Sequence, residues 1–246
     1  MDTTYQTELE MLRQELPIGI CHALKLLEQH EGSIEKAKKQ FQDELIDLVI
    51  AKTQVNLETA KRHLVKNRFD MSLTLKSIDE ERYSLTERIL KKYKAEKEKA
   101  LEKISYAIEE THALEREFWL KFDTLHPLPE KLQGFMMVME WLNYESWEDY
   151  DSALFFHLES VVEQIKMQLK LDDLANALQE AHEIQRHIYE KNNVFQIEER
   201  KHYQKAYKEL SKHNKYQHYQ KQFQEQRPLL IDALYALVCE NITIFP

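Results

Sequence analysis

Apolar residues recur through the first eighty positions in a pattern that occurs twice. Leu12, Ile18, Ile20, Ala23, Leu27, Ser33 and Ile34 return 37 positions later as Val49, Val55, Leu57, Ala60, Leu64, Asp70 and Met71. Within each copy the apolar positions follow steps of three and four, the spacing of one face of an α-helix. The pattern predicts a helix over 4–15, stopped at Pro17 because the residue before a proline avoids the helical region. A second helix is predicted over 19–29, with Ile20, Ala23, Leu24 and Leu27 on one face. Gly32 supplies the turn after it, and Ser33 is placed to cap a third helix running unbroken to about Lys52. Asn56 and Asp70 are placed as caps of helices over 57–67 and 71–79.

Beyond the repeat, Ser84-Leu-Thr-Glu87 has the form of a capping box. From there Leu90, Tyr93, Leu101, Ile104, Leu114, Phe118 and Phe122 continue in helical steps, with Lys97 as an interruption, and predict one helix from 84 to about 125. Further helices are expected over 130–144, 149–170, 173–191, 194–222 and 228–241. Pro129 and Pro228 suit first-turn positions, where a missing N–H costs nothing, and Asp172 suits a cap. The stretch 132–156 is the richest in apolar residues and should form the core of its domain. The expected organisation is all-α: two three-helix modules (1–42 and 43–80), a long connecting helix (81–128) and a C-terminal helical bundle or repeat-like domain (129–246).

Composition strengthens the all-helical expectation. Average usage would give roughly 17 glycines, and the chain has three, with five prolines among its 246 residues. Strand-rich folds need glycine-bearing tight turns, and no Asn-Gly or Asp-Gly pair occurs. Neither GxGxxG nor GxxxxGK[ST] is present, which excludes P-loop and Rossmann chemistry. Two cysteines make no disulfide framework, and both Cys21 and Cys239 are expected in apolar surroundings. No apolar run, 135–139 included, is long enough to span a bilayer, and no leader opens the chain, so a cytoplasmic location is expected. The net charge of −9 is uneven: 109–190 sums to −12, while 81–108 and 200–227 sum to +3 and +6.

The paired modules resemble the ubiquitin-associated (UBA) fold. The first is similar to the N-terminal domain of elongation factor Ts through Leu12-Arg13, Pro17-Ile18-Gly19-Ile20-Cys21, Ala23-Leu24, Gly32-Ser33-Ile34 and Ala37. The second is similar to the UBA domain of the nascent-polypeptide-associated complex through Val49, Val55-Asn56, Ala60, Leu64, Asp70-Met71 and Thr74-Leu75. The resemblance implies a protein partner, contacted through Pro17, Ile18, Gly19 and Ile20 and through the equivalent Val55, Asn56 and Leu57, and a link to the translation apparatus. The exchange motif T-D-F-V-A is absent, as is the Met-Gly-Phe loop of ubiquitin-binding versions. Neither nucleotide exchange nor ubiquitin is therefore expected. The alternative occupant of these loops is the protein's own core.

Candidate chemistry elsewhere is sparse. Two Glu-x-x-His pairs, Glu109–His112 and Glu199–His202, have the spacing of di-iron bundle ligands, with Glu159 or Glu163 as further donors. Their charged surroundings favour a solvated face over a metal, and no cofactor is expected. Lysines and aromatics interleave through 200–227, which would suit single-stranded nucleic acid, with Lys205, Lys208 and Lys212 as its contacts. Yet Tyr203, Tyr207, Leu210, Tyr219 and Phe223 keep helical steps, so packing is the preferred reading there. The sequence reads as a non-catalytic interaction protein. A helical metal protein or enzyme and an RNA- or ribosome-associated protein are the alternatives, and the apolar final helix is a candidate homodimer contact.

Overall fold

The computed structural model describes residues 5–196 and 200–246, and they form two compact units that divide between Ser84 and Leu85. Among the described residues there are thirteen α-helices and no strand. The expected all-α class is correct.

The first unit contains α1 (Gln6–Glu15), α2 (Ile20–Gln29), α3 (Ile34–Thr53), α4 (Leu57–Lys66) and α5 (Met71–Arg82). The two modules share α3, whose first half packs with α1 and α2 and whose second half packs with α4 and α5. The repeat extends further than the sequence pattern showed. Leu12 and Val49, Ala23 and Ala60, Leu27 and Leu64, and Phe41 and Ile78 are all buried at the same 37-residue offset. So are Leu26 and His63, and Ala37 and Thr74.

The backbone repeats as well. Gly32 N–H donates to the Leu27 carbonyl at 2.8 Å, and Phe69 N–H donates to the Leu64 carbonyl at 2.7 Å. Glu31 and Arg68 both have φ 52°, while Gly32 and Phe69 lie at 81° and 60°. The turn between the second and third helices therefore has one conformation in both copies. Only the first copy meets it with glycine, the residue that adopts this region without steric penalty. A Cβ on Gly32 would lie 2.7 Å from the Tyr5 ring. The capping differs between copies. Asn56 and Asp70 each accept from a first-turn N–H, at 2.8 Å from Thr59 and Leu73. Gly19 makes no side-chain cap, and the expected cap at Ser33 is not formed.

The second unit begins with a correction. The single helix expected over 84–125 is two helices, α6 (Leu85–Lys92) and α7 (Lys97–His112), which pack on each other. Lys91–Lys99 carries too few apolar residues to hold one straight rod against a core, so the chain turns there at little cost. At the other end Ala113 takes φ 49° and closes α7, and residues 113–121 are non-helical. The rest is η1 (Phe122–Leu125), α8 (Glu130–Trp147), α9 (Tyr150–Ala153), α10 (Leu158–Met167), α11 (Asp172–Lys191), α12 (Arg200–Leu210), α13 (Asn214–Glu240) and η2 (Ile242–Ile244).

Three more expectations change. The helix expected over 149–170 breaks at Leu154–His157, where His157 has φ 50°. Asp172 does not cap α11, whose N-cap is Leu171. Pro228 lies inside α13 rather than at a helix start, while the break expected near it falls at 211–213.

One core holds this unit together, with α11 against α13 and α10 against both α8 and α11. As expected, 132–156 supplies much of it, including Leu132, Phe135, Met136, Val138 and Trp141. The Trp141 indole N–H donates to the Ala153 carbonyl at 2.8 Å, so the largest core side chain is satisfied as well as packed. Tyr216 donates to the Asp151 carboxylate at 2.6 Å, and Gln185 to the Asp151 carbonyl at 2.9 Å, which ties the short α9 to α13 and α11.

Candidate interaction surfaces

In the N-terminal unit the candidate loop residues divide between core and surface. Ile18 is buried in the first core, and Val55 is half-buried against the second. Burial removes Ile18 from any contact surface. Asn56 is exposed, but its side chain accepts the Thr59 N–H. Pro17, Gly19, Ile20 and Leu57 face solvent. Ile20 and Leu57, equivalent in the repeat, are 48% and 52% exposed. Another equivalent pair, Met11 and Leu48, is 49% and 43% exposed. That second pair was readable at the 37-residue offset, but helical spacing alone does not tell an exposed apolar side chain from a buried one.

His63, where the first copy has Leu26, is the main buried polar residue of this unit. Its Nδ1 lies 2.7 Å from Ser77 Oγ and its Nε2 lies 3.0 Å from Glu81 Oε2. Both ring nitrogens therefore have partners, which removes the penalty of burying an imidazole. The Arg62 guanidinium, bound to the Glu81 carboxylate at 2.5 and 2.8 Å, together with His63, holds that carboxyl down at about 2 against the burial that would raise it.

In the C-terminal unit one buried carboxylate organises a surface turn. Glu140, on α8, is 3% exposed. Its two oxygens accept from Arg116 at 2.8 and 2.9 Å, and one also accepts the Leu120 N–H at 2.8 Å. Arg116 is bound a second time by Glu109 of α7, at 2.6 and 3.1 Å. These bonds hold the guanidinium above its ordinary pKa despite burial, which alone would lower it. Arg116 and Leu120 also pair as an antiparallel bridge. Both ends of the turn 116–120 are thus pinned to one side chain, and Leu120 is buried.

The tip of the turn points outward. Phe118 is 76% exposed. Trp119, half-buried, lies edge-on to Phe118 at 5.3 Å between ring centroids, 4.8 Å from Tyr144 and 5.9 Å from Phe156. Tyr144 and Phe156 stack at 4.1 Å, and Phe122 stacks on His157 at 4.4 Å. Trp147, one turn beyond Tyr144 on α8, is 75% exposed. A groove of about 340 Å³ runs along this aromatic surface, lined by Phe118, Trp119, Phe122, Phe156, Glu117 and Asp123 among others.

A narrower pocket of about 190 Å³ lies between α7, α8 and α13. Its charged groups answer one another: Arg116 with Glu109 and Glu140, and Arg227 with Glu98 at 2.5 and 3.3 Å. Burial raises the adjacent Glu145 carboxyl, and Arg227 partly offsets that. This pocket is a structural seam.

The described metal candidates form no cluster. Glu109 is held by Arg116, His112 is exposed at the end of α7, and His202 Nδ1 lies 2.8 Å from the Asn192 carbonyl oxygen. Glu199 lies outside the described residues. Among the described residues no three His, Cys, Asp or Glu side chains form a group that could hold a metal ion. Cys21 and Cys239, expected in apolar surroundings, are both exposed. In the basic stretch Leu210, Tyr216 and Phe223 are buried, while Tyr203 and Tyr207 face solvent beside Lys205 and Lys208. Packing therefore accounts for part of the aromatic pattern. No helix among the described residues is long and apolar enough to cross a membrane.

The picture is of an all-helical protein whose most developed surfaces are apolar and aromatic. Residues 84–243 match the family of YfbN C-terminal domains, and the chain belongs to that family. It is also similar to the uncharacterized protein YfbN of Escherichia coli (strain K12), with 35% identity over 191 residues that cover 72% of this chain and 80% of that protein. No solved structure matches.

Proposed function

We propose that this chain is a non-catalytic interaction protein that docks a partner protein through the exposed apolar residues of its repeated modules. One observation carries the reading: exposed apolar residues recur at the repeat offset, Met11 with Leu48 and Ile20 with Leu57. Core packing explains why Leu27 and Leu64 repeat. It does not explain the repetition of side chains that the fold leaves in water, whereas a docking surface requires them. The UBA-like character of the modules agrees with this reading and points toward the translation apparatus as the source of the partner. A cytoplasmic setting belongs to the same proposal, and two exposed, unpaired thiols suit a reducing compartment.

The test compares full-length tagged protein with an Ile20→Asp/Leu57→Asp variant. Both positions are exposed, so the variant keeps its helical circular dichroism and its melting temperature. Wild type is expected to recover a partner that the variant loses and that rebinds after purification. Recovery of the same proteins by both would remove the modules as the docking site.

A further inference from the structure

The turn 116–120 is costly to build. A carboxylate as buried as Glu140 loses its hydration, and its pairing with Arg116 recovers that loss only because every bond is well placed. What the arrangement achieves locally is to hold three residues, 117–119, in a fixed outward turn. Folding alone would be served as well by a turn of small polar residues. Instead the tip carries Phe118, among the most exposed large apolar side chains of the chain. Fixing an aromatic side chain in water before a partner arrives lowers the ordering cost of binding. Exposed aromatic anchors of this kind dominate interface energies.

The charge around the turn selects the occupant. Glu117 and Asp123 line the groove, with Lys121 as its cation, and Lys121 is already bonded to Glu117. Glu148 and Asp149 follow directly on the end of α8 that carries Tyr144, and their charges add to the burial that pushes the Tyr144 hydroxyl up. Glu117 and Asp123 thus line the groove with a lysine already paired and with His157, and two more acids, Glu148 and Asp149, lie next in the chain to the α8 end. Phosphate-bearing surfaces, whether nucleic acid or anionic lipid, are repelled by such a border. A cationic side chain gains twice, from the ring faces and from the carboxylates.

We propose that the Phe118–Trp119 turn and the Tyr144–Phe156 stack form a docking surface for a basic segment of a partner protein. An Arg or Lys side chain lies over the aromatic faces with its charge toward Glu117, Asp123 and Glu148, and an apolar neighbour packs on Phe118. This surface is separate from the repeated modules and is tested by different variants.

The probe is a short fluorescent peptide rich in Arg and Leu, titrated with full-length protein and followed by anisotropy. The same peptide with Glu in place of Arg is the control. Wild type is expected to bind the Arg peptide and not the Glu peptide, with affinity falling as salt rises. Phe118→Ala is expected to weaken binding about tenfold or more, with an unchanged melting temperature because the ring is in solvent. Phe118→Tyr keeps the affinity. An Asp123→Lys/Glu148→Lys variant weakens binding and flattens the salt dependence. Equal affinity for the two peptides, or an affinity indifferent to Phe118→Ala, overturns the proposal. So does Phe118-dependent binding to phosphatidylcholine vesicles without peptide binding, which would make the surface a lipid contact. Phe118-dependent self-association in sedimentation would assign it to a second copy and overturn it equally.

Discussion

The two units hold themselves together by different means. The N-terminal unit has two small cores, each built on the same buried positions, and its ion pair Arg62–Glu81 sits at the surface. The C-terminal unit has one core large enough to shield a carboxylate, and in its Arg116–Glu140 pair the carboxylate is buried and the guanidinium half-buried. A small module cannot exclude water from a charge, so its stability rests on apolar contacts and backbone turns. A large one can, and the buried charge then fixes a loop that apolar packing alone would leave free.

Breaking the two ion pairs should give the largest contrast. Arg116→Met leaves the Glu140 carboxylate buried with the Leu120 N–H as its remaining bond. The expected loss is about 4 kcal/mol, read from chemical denaturation. Arg62→Met removes a pair that water already screens, and its denaturation midpoint should fall by far less than that of Arg116→Met. If the two variants cost the same, burial is not what separates the units.

The next effect tests the repeat itself. Leu27→Ala and Leu64→Ala empty equivalent, fully buried positions, each expected to cost about 3 kcal/mol. Equal losses would show that the copies are equivalent in energy as well as in geometry. A clear inequality would assign the stability of the unit to one copy.

The repeat was legible in the sequence because its information is local: Leu12, Ala23 and Leu27 and their counterparts sit at helical spacing within one short module. The pinned turn was not legible. Phe118 and Phe122 fit the helical phase of the preceding segment. That helix closes at Ala113, and beyond it Arg116 meets a partner that lies 24 residues along the chain on another helix. Nothing in the stretch 84–125 announces that pairing, because no glycine or proline marks the break. Of the candidate contact residues, Ile20 and Leu57 were found by their place in the module, whereas Ile18 shares their apolar character and is buried. Residue type predicted apolarity in each case, and only packing decided exposure.

A smaller difference lies between the copies. Asp70 and Asn56 cap their helices through side-chain bonds, and Ser33 and Gly19, their equivalents, do not. Asp70→Ala should cost about 1 kcal/mol, and Ser33→Ala distinctly less, by thermal or chemical denaturation. An equal cost would mean that the Leu73 N–H is satisfied as well without the carboxylate.

The smallest effect expected is a pH dependence confined to the N-terminal unit. The Glu81 carboxyl is held at about 2 in the folded protein against an ordinary 4.5, chiefly by its bonds to Arg62. A carboxyl lowered on folding stabilises the fold when it is ionised in both states, so its contribution is complete above about pH 4.5. Below that value the unfolded chain takes up the proton first. The contribution then declines until the folded carboxyl is protonated too, near pH 2. Glu81→Gln removes this dependence. The difference in melting temperature between wild type and variant should therefore be constant above the window, shrink steadily within it, and level off below it. A difference that stays flat from neutral pH down through the window would mean that Arg62 and His63 do not favour the charged carboxylate. The surface pair would then contribute nothing that the buried pair of the other unit could be compared with.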